Sequence, residues 1–141
     1  LLNFVMQDFY AKIFFGGRVD QRYKQLARLK LSLVHGCRTC NKQNVPGALE
    51  AGISQAEVDA MENYQDGPFS DADKAVLRYA ELVSMDNNTE SLDEKLYAQL
   101  STHFSDEEIC ELGVAMAVIT GMAKLSFVLD LVEREDYCTF N

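Results

Sequence analysis

The chain has 141 residues and a mass of 15.9 kDa, the size of one ordinary domain. Its 48% hydrophobic and 25% charged content, with two Pro and eight Gly, excludes a collagenous, low-complexity or disordered chain. The 22 acidic and 13 basic side chains give a net charge of −9 and a pI near 4.6, which argues against a nucleic-acid backbone or an anionic membrane as partner.

Apolar residues recur at spacings of three and four, so the chain reads as all-α, a helical bundle without strands. Residues 1–141 read as one domain: an N-terminal helix over 1–18, a core over 19–133 and a tail over 134–141. The first residues carry no basic group and reach Asp8 early, unlike a secretory signal. Over 19–34, Tyr23, Leu26, Ala27, Leu29, Leu31, Leu33 and Val34 form a broad apolar stripe, and Gly36 sits where a C-terminal stop belongs. A second helix is predicted from Cys37 to Ala51, with Pro46 inside it and Gly52 ending it. Three later starts carry Ser followed three positions on by an acid, the signature of a capping box. These are Ser54/Glu57, opening a helix to about 64, Ser70/Asp73, opening one to about 85, and Ser105/Glu108, opening one to about 133. Between the last two, 92–100 forms a further helix.

The final helix is apolar on every side over 113–123. Such a helix must be covered all round, so a second copy of the chain is expected to cover part of it. Eleven residues fall short of the roughly 20 needed to cross a bilayer, so a soluble protein without a membrane partner is expected.

Four cysteines at 37, 40, 110 and 138 are too few for a disulfide scaffold, and the close pair Cys37-Arg38-Thr39-Cys40 points to redox or metal chemistry. Thiols at i and i+3 share a face of a helix, and the first turn supplies unpaired N–H groups and a positive dipole end that favour thiolate. Arg38 and Lys42 add positive charge. Zinc would need two more ligands, and His35, His103, Cys110 and Cys138 do not repeat the pair's spacing, so neither a metal nor another cofactor is expected. Helix-end electrostatics favour Cys37 as the reactive thiol.

The segment from Leu26 through His35-Gly36-Cys37-Arg38-Thr39-Cys40, then Ala51-Gly52-Ile53-Ser54 with Glu57, then Phe104-Ser105-Asp106-Glu107-Glu108-Ile109, resembles the carboxymuconolactone decarboxylase and alkylhydroperoxidase D superfamily. The resemblance implies an all-helical fold and a homo-oligomer, trimer or hexamer. In members with both cysteines it also implies thiol-dependent reduction of a hydroperoxide or disulfide, with Cys40 attacking, Cys37 resolving, and an external dithiol as reductant. Peroxidase members carry a Glu and a His as a proton relay where this chain has Gln25 and Asn44, which cannot act as bases at neutral pH. Both retain the ability to orient a thiol or a water, and His35 is a substitute base.

The expected function is therefore a cytoplasmic alkylhydroperoxidase-like oxidoreductase of peroxiredoxin type. Its rivals are a lactone decarboxylase, with Lys124 as an anion-binding group in a substrate pocket, and a redox-sensing oligomer without turnover. Phe14, Phe15, Tyr79, Phe104 and Phe127 read as core before pocket, and Cys110 as a small buried hydrophobe. The carboxylates of 106–108 read as helix-start charges and those of 133–136 as a solvated tail.

Overall fold

The structure is a computed structural model that describes residues 1–133. Among these residues it is all-α: an N-terminal π-type helix (Phe4–Phe14), then α1 (Gln21–Val34), α2 (Arg38–Glu50), α3 (Gln55–Asp59), α4 (Asp71–Val83), α5 (Glu94–Ser101) and α6 (Asp106–Val128).

The three capping boxes form as the sequence implies. Ser54, Ser70 and Ser105 accept from the backbone N–H of Glu57, Asp73 and Glu108, and each acidic side chain returns a bond to the Ser N–H. α5 starts two residues later than 92 because Asp93, not an earlier residue, caps Leu96 N–H.

Helix ends differ more. α3 stops at Asp59 rather than near 64, because a turning chain lets Met61 and Tyr64 both reach the core. α6 ends at Val128, where Asp130 takes φ 53° and the N–H groups of Asp130 and Leu131 return to Phe127 and Ser126. That is a Schellman stop with Asp in the position usually given to Gly. Cys138 and residues 134–136 of the acidic run lie outside the described residues.

α1 is the central element, packed against α2, α4 and α6. One face carries Leu26 and Leu29 into a cluster with Ala48, Ile53, Val58, Met61 and Leu77. The other carries Ala27 and Leu31 into a cluster with Val76, Ala80, Leu100, Leu112 and Met116. Phe9 and Phe14 pack on Ala115 and hold the N-terminal helix against α6.

Buried charges lock the frame. Lys24, whose side chain is 0% exposed, meets Glu111 at 2.6 Å and donates to the carbonyls of Ile13 and Gly16. Glu111 also accepts from the N–H groups of Arg18 and Val19, so one carboxylate ties α6 to α1 and to the loop before it. Gly17 is required there: its φ is +72°, and a Cβ would lie 2.2 Å from Glu111 Oε1.

α6 is covered on one side only. Ile109, Leu112, Ala115 and Met116 are buried, whereas Val114, Met122, Leu125 and Val128 are exposed in the isolated chain. The apolar run counted from the sequence understates this helix. Among the described residues it is the one helix that is, by length and composition, long and apolar enough to cross a membrane.

Candidate active site

The site is built by two consecutive helix signals. α1 ends in a Schellman motif in which Gly36 takes φ +68°, Gly36 N–H returns to Leu33 and Cys37 N–H to Ser32. The residue that closes this stop also opens the next helix. Cys37 is the N-cap of α2, and its Sγ accepts the backbone N–H of Cys40 at 3.3 Å. With no residues between stop and start, the position of Cys37 is set by the end of α1 and that of Cys40 by the first turn of α2.

The two sulfurs are joined as a disulfide, with Cα atoms 5.2 Å apart. Their environments differ. Cys37 is 1% exposed, whereas Cys40 is half-buried. Both line a cavity of about 170 Å³ between α1, α2, α6 and the N-terminal helix, together with Arg28, His35, Asn44 and Met122.

The sequence-derived residues divide at this cavity. Asn44 lines it. Gln25 is 2% exposed and lies behind it, its amide against Gly47, and its Oε1 accepts no hydrogen bond. His35 lines the cavity but is 1% exposed rather than solvated, and its Nε2 accepts the Met85 N–H at 3.1 Å. That bond places the proton of the neutral ring on Nδ1 and occupies the lone pair a base would use.

Lys124 is exposed on α6 and does not line the cavity. Cys110 is exposed rather than buried, because α6 turns that position away from the core. His103 is exposed beyond the end of α5. Phe14 and Phe104 are core, Phe15 is exposed, and none of the aromatic residues singled out in the sequence lines the cavity, whereas Tyr10 does. Asp106 accepts from Tyr97 Oη at 2.6 Å and Glu108 closes a capping box, so the first acidic run serves the helix start. Among the described residues no group of three or more His, Cys, Asp or Glu side chains is placed to hold a metal.

Arg28 is the residue that sequence reading missed. Its side chain runs from α1 toward the cavity, its guanidinium stands 5.1 Å from the Phe14 ring centroid, and burial pulls its pKa below the ordinary arginine value. The available signal was a cation at the border of an apolar stripe, four residues before a Ser that also lines the cavity.

A profile of the carboxymuconolactone decarboxylase family matches residues 4–82, more than half of the chain. The chain belongs to this family. No curated protein has a significant sequence match to it. Its fold is similar to the crystal structure of a protein of unknown function from Agrobacterium tumefaciens put forward as an AhpD-type antioxidant defence protein. The TM-score is 0.73 at 22% identity, over 92% of this chain and 82% of that one. In this carboxymuconolactone decarboxylase family member, the matched region contains α1, α2 and the Cys37–Cys40 disulfide.

Proposed function

We propose that the protein is a thiol-dependent peroxidase or disulfide oxidoreductase in which Cys37 and Cys40 alternate between dithiol and disulfide. The observation that carries this reading is the disulfide itself, spanning a buried N-cap cysteine and a half-buried partner beside a cavity.

The asymmetry supports a division of roles. Cys40 is the sulfur that a peroxide can reach, which favours it as the attacking thiolate over Cys37. Its attack breaks the O–O bond and forms an S–O bond. The leaving alkoxide takes a proton from solvent and departs as the alcohol. The Cys37 thiolate then attacks the sulfenic sulfur, forms the S–S bond and releases hydroxide, which is protonated to water. In reduction, an external dithiol attacks Cys40 and releases Cys37. The Cys40 N–H and the start of α2 stabilise the departing Cys37 thiolate. A second attack within the reductant frees Cys40 and leaves the reductant as a disulfide, so two electrons enter per turnover.

With Gln25 and Asn44 in place of acid–base groups, proton transfer falls to solvent at Cys40, so slow turnover is expected. The exposed apolar side of α6 supports a homo-oligomer, which would cover Met122 and Leu125. The acidic surface and reducible pair fit a cytoplasmic protein.

The test is steady-state consumption of cumene hydroperoxide with dithiothreitol. The parent should turn over, Cys40→Ser should be inactive, and Cys37→Ser should lose turnover after one oxidation. Equal background rates in all three would remove the peroxidase reading. Oxidation of the parent without turnover would favour the sensor.

A further inference from the structure

A buried guanidinium ordinarily has a carboxylate beside it, because an uncompensated charge in a low-dielectric site is costly. The other buried or half-buried cations of this core obey that rule: Arg22 has Asp73 and Glu57, Lys24 has Glu111, and Lys30 has Glu81. Arg28 does not. Among the described residues no hydrogen bond or ion pair meets its guanidinium. Its buried Nε has no partner, and among the described residues no Asp or Glu lines its cavity. Its contact is the face of Phe14, which supplies no negative charge to satisfy five N–H donors.

No ion pair joins Arg28 to Cys40, which is held in the disulfide. One guanidinium nitrogen of Arg28 packs on Gly47, 3.0 Å from where a Cβ would stand. Gly47 is seven residues along α2 from Cys40, roughly 10 Å at the helical rise. Arg28 and Cys40 line the same cavity with Asn44, Ile119 and Met122, and the Gly47 contact sets one end of the guanidinium about two helical turns along α2 from Cys40.

We infer that Arg28 binds the carboxylate of the substrate, and that the substrate class is a carboxylate-bearing organic hydroperoxide whose peroxide group reaches Cys40 while its anionic end is held about two helical turns away. This rests on the reading of Cys37 and Cys40 as the reactive pair. The fork of the guanidinium suits a carboxylate bidentately, and the apolar wall suits a hydrocarbon between the two ends. Gly47 is part of the site, because any side chain there would press on the fork.

Two measurements test it. The first is calorimetric binding of octanoate and of neutral octanamide to the oxidised parent, Arg28→Lys and Arg28→Gln. The parent should prefer octanoate by roughly 10- to 100-fold, the range of a charge-assisted pair. Arg28→Gln should remove the preference and Arg28→Lys should keep part of it. The second is kcat/KM for a fatty-acid hydroperoxide against its methyl ester, where the parent should favour the acid and Arg28→Gln should lose that preference through KM. Because Arg28 has no partner to strand, Arg28→Gln should melt no lower than the parent, whereas a structural arginine would lower the Tm on removal.

Equal binding of octanoate and octanamide by the parent overturns the inference without recourse to any variant, and so does a preference that survives in Arg28→Gln. Arg28-dependent octanoate binding without hydroperoxide turnover would leave the anion site standing and remove the peroxidase reading. Turnover without preference for the acid would do the reverse.

Discussion

Arg22 and Asp73 are joined by two parallel hydrogen bonds, Nε to Oδ1 at 3.0 Å and Nη2 to Oδ2 at 2.8 Å. The same guanidinium donates to Glu57 and to the Gly52 carbonyl. Asp73 and Glu57 are the acidic members of two capping boxes, so one arginine on α1 fastens the starts of α3 and α4 to each other and to the helix that ends at the site. Burial works to raise both carboxyl pKa values, but the hydrogen bonds from Arg22 and from the Ser54 and Ser70 residues outweigh it and hold both below their ordinary values.

The consequence for pH follows from that sign. Both folded-state pKa values are depressed, so their stabilisation is fully present above the unfolded values of 3.8 and 4.5 and is lost as pH falls through the folded ones. Urea midpoints should be level above about pH 5 and fall below it, and Asp73→Asn should flatten the acid limb. Arg22→Ala should cost about 3 kcal/mol or more at pH 7, because it strands two largely buried carboxylates. Arg22→Lys should recover part of this, having lost the two-pronged contact. Unchanged midpoints in Arg22→Ala would show that the clamp contributes nothing.

A second lock joins Lys24 and Glu111. Glu111→Gln should destabilise by about 3 kcal/mol by leaving Lys24 buried without a carboxylate. Gly17→Ala should cost about 1–3 kcal/mol, through its positive φ and the push against Glu111. Thermal unfolding checks both, and a Tm for Gly17→Ala equal to the parent's would contradict the close approach.

How much of this was legible in the sequence depends on the range of the signal. Ser54, Ser70 and Ser105 announce their helices because a capping box is completed within four residues. Gly36 and the cysteines place the site because a stop and a start abut. The distal end of α6 was overextended because Asp130, a residue with no reputation as a terminator, takes the left-handed position. Cys110 was misplaced because α6 is apolar all round, which leaves no stripe to say which side faces in. The burial of His35 and the role of Arg28 depend on Met85 and on the N-terminal helix, contacts far along the chain that no local spacing encodes. The clamp at Arg22 is not legible locally, because its partners Glu57 and Asp73 lie 35 and 51 residues along the chain.

The exposed side of α6 leads to a prediction about assembly. The parent should elute as a homo-oligomer in size-exclusion chromatography with light scattering, and Leu125→Glu should shift it toward monomer by charging the uncovered face. Cys110, exposed on the same helix, offers a readout: labelling by a thiol reagent should be faster in Leu125→Glu if the interface extends to it. A monomeric parent would contradict this assignment.

The substituted relay is testable by restoring it. Gln25→Glu with Asn44→His would restore the acid–base pair that the family resemblance implies at these positions, and a well-placed pair of this kind contributes roughly 100-fold or more. Hydroperoxide turnover near pH 7 should rise by about 10-fold or more in the double variant, with a new ionisation in its pH profile. No gain in rate and no new ionisation would mean that positions 25 and 44 do not serve the chemistry.

The most direct test of the account is to stop the cycle halfway. Cys37→Ser, fully reduced, is given one equivalent of cumene hydroperoxide in the presence of dimedone and its peptides are weighed by mass spectrometry. The account predicts a dimedone adduct confined to Cys40 in this variant, and a Cys37–Cys40 disulfide without adduct in the parent treated alike. An unmodified Cys40 in Cys37→Ser, or an adduct on Cys37 in the reciprocal Cys40→Ser protein with the same yield, would contradict it.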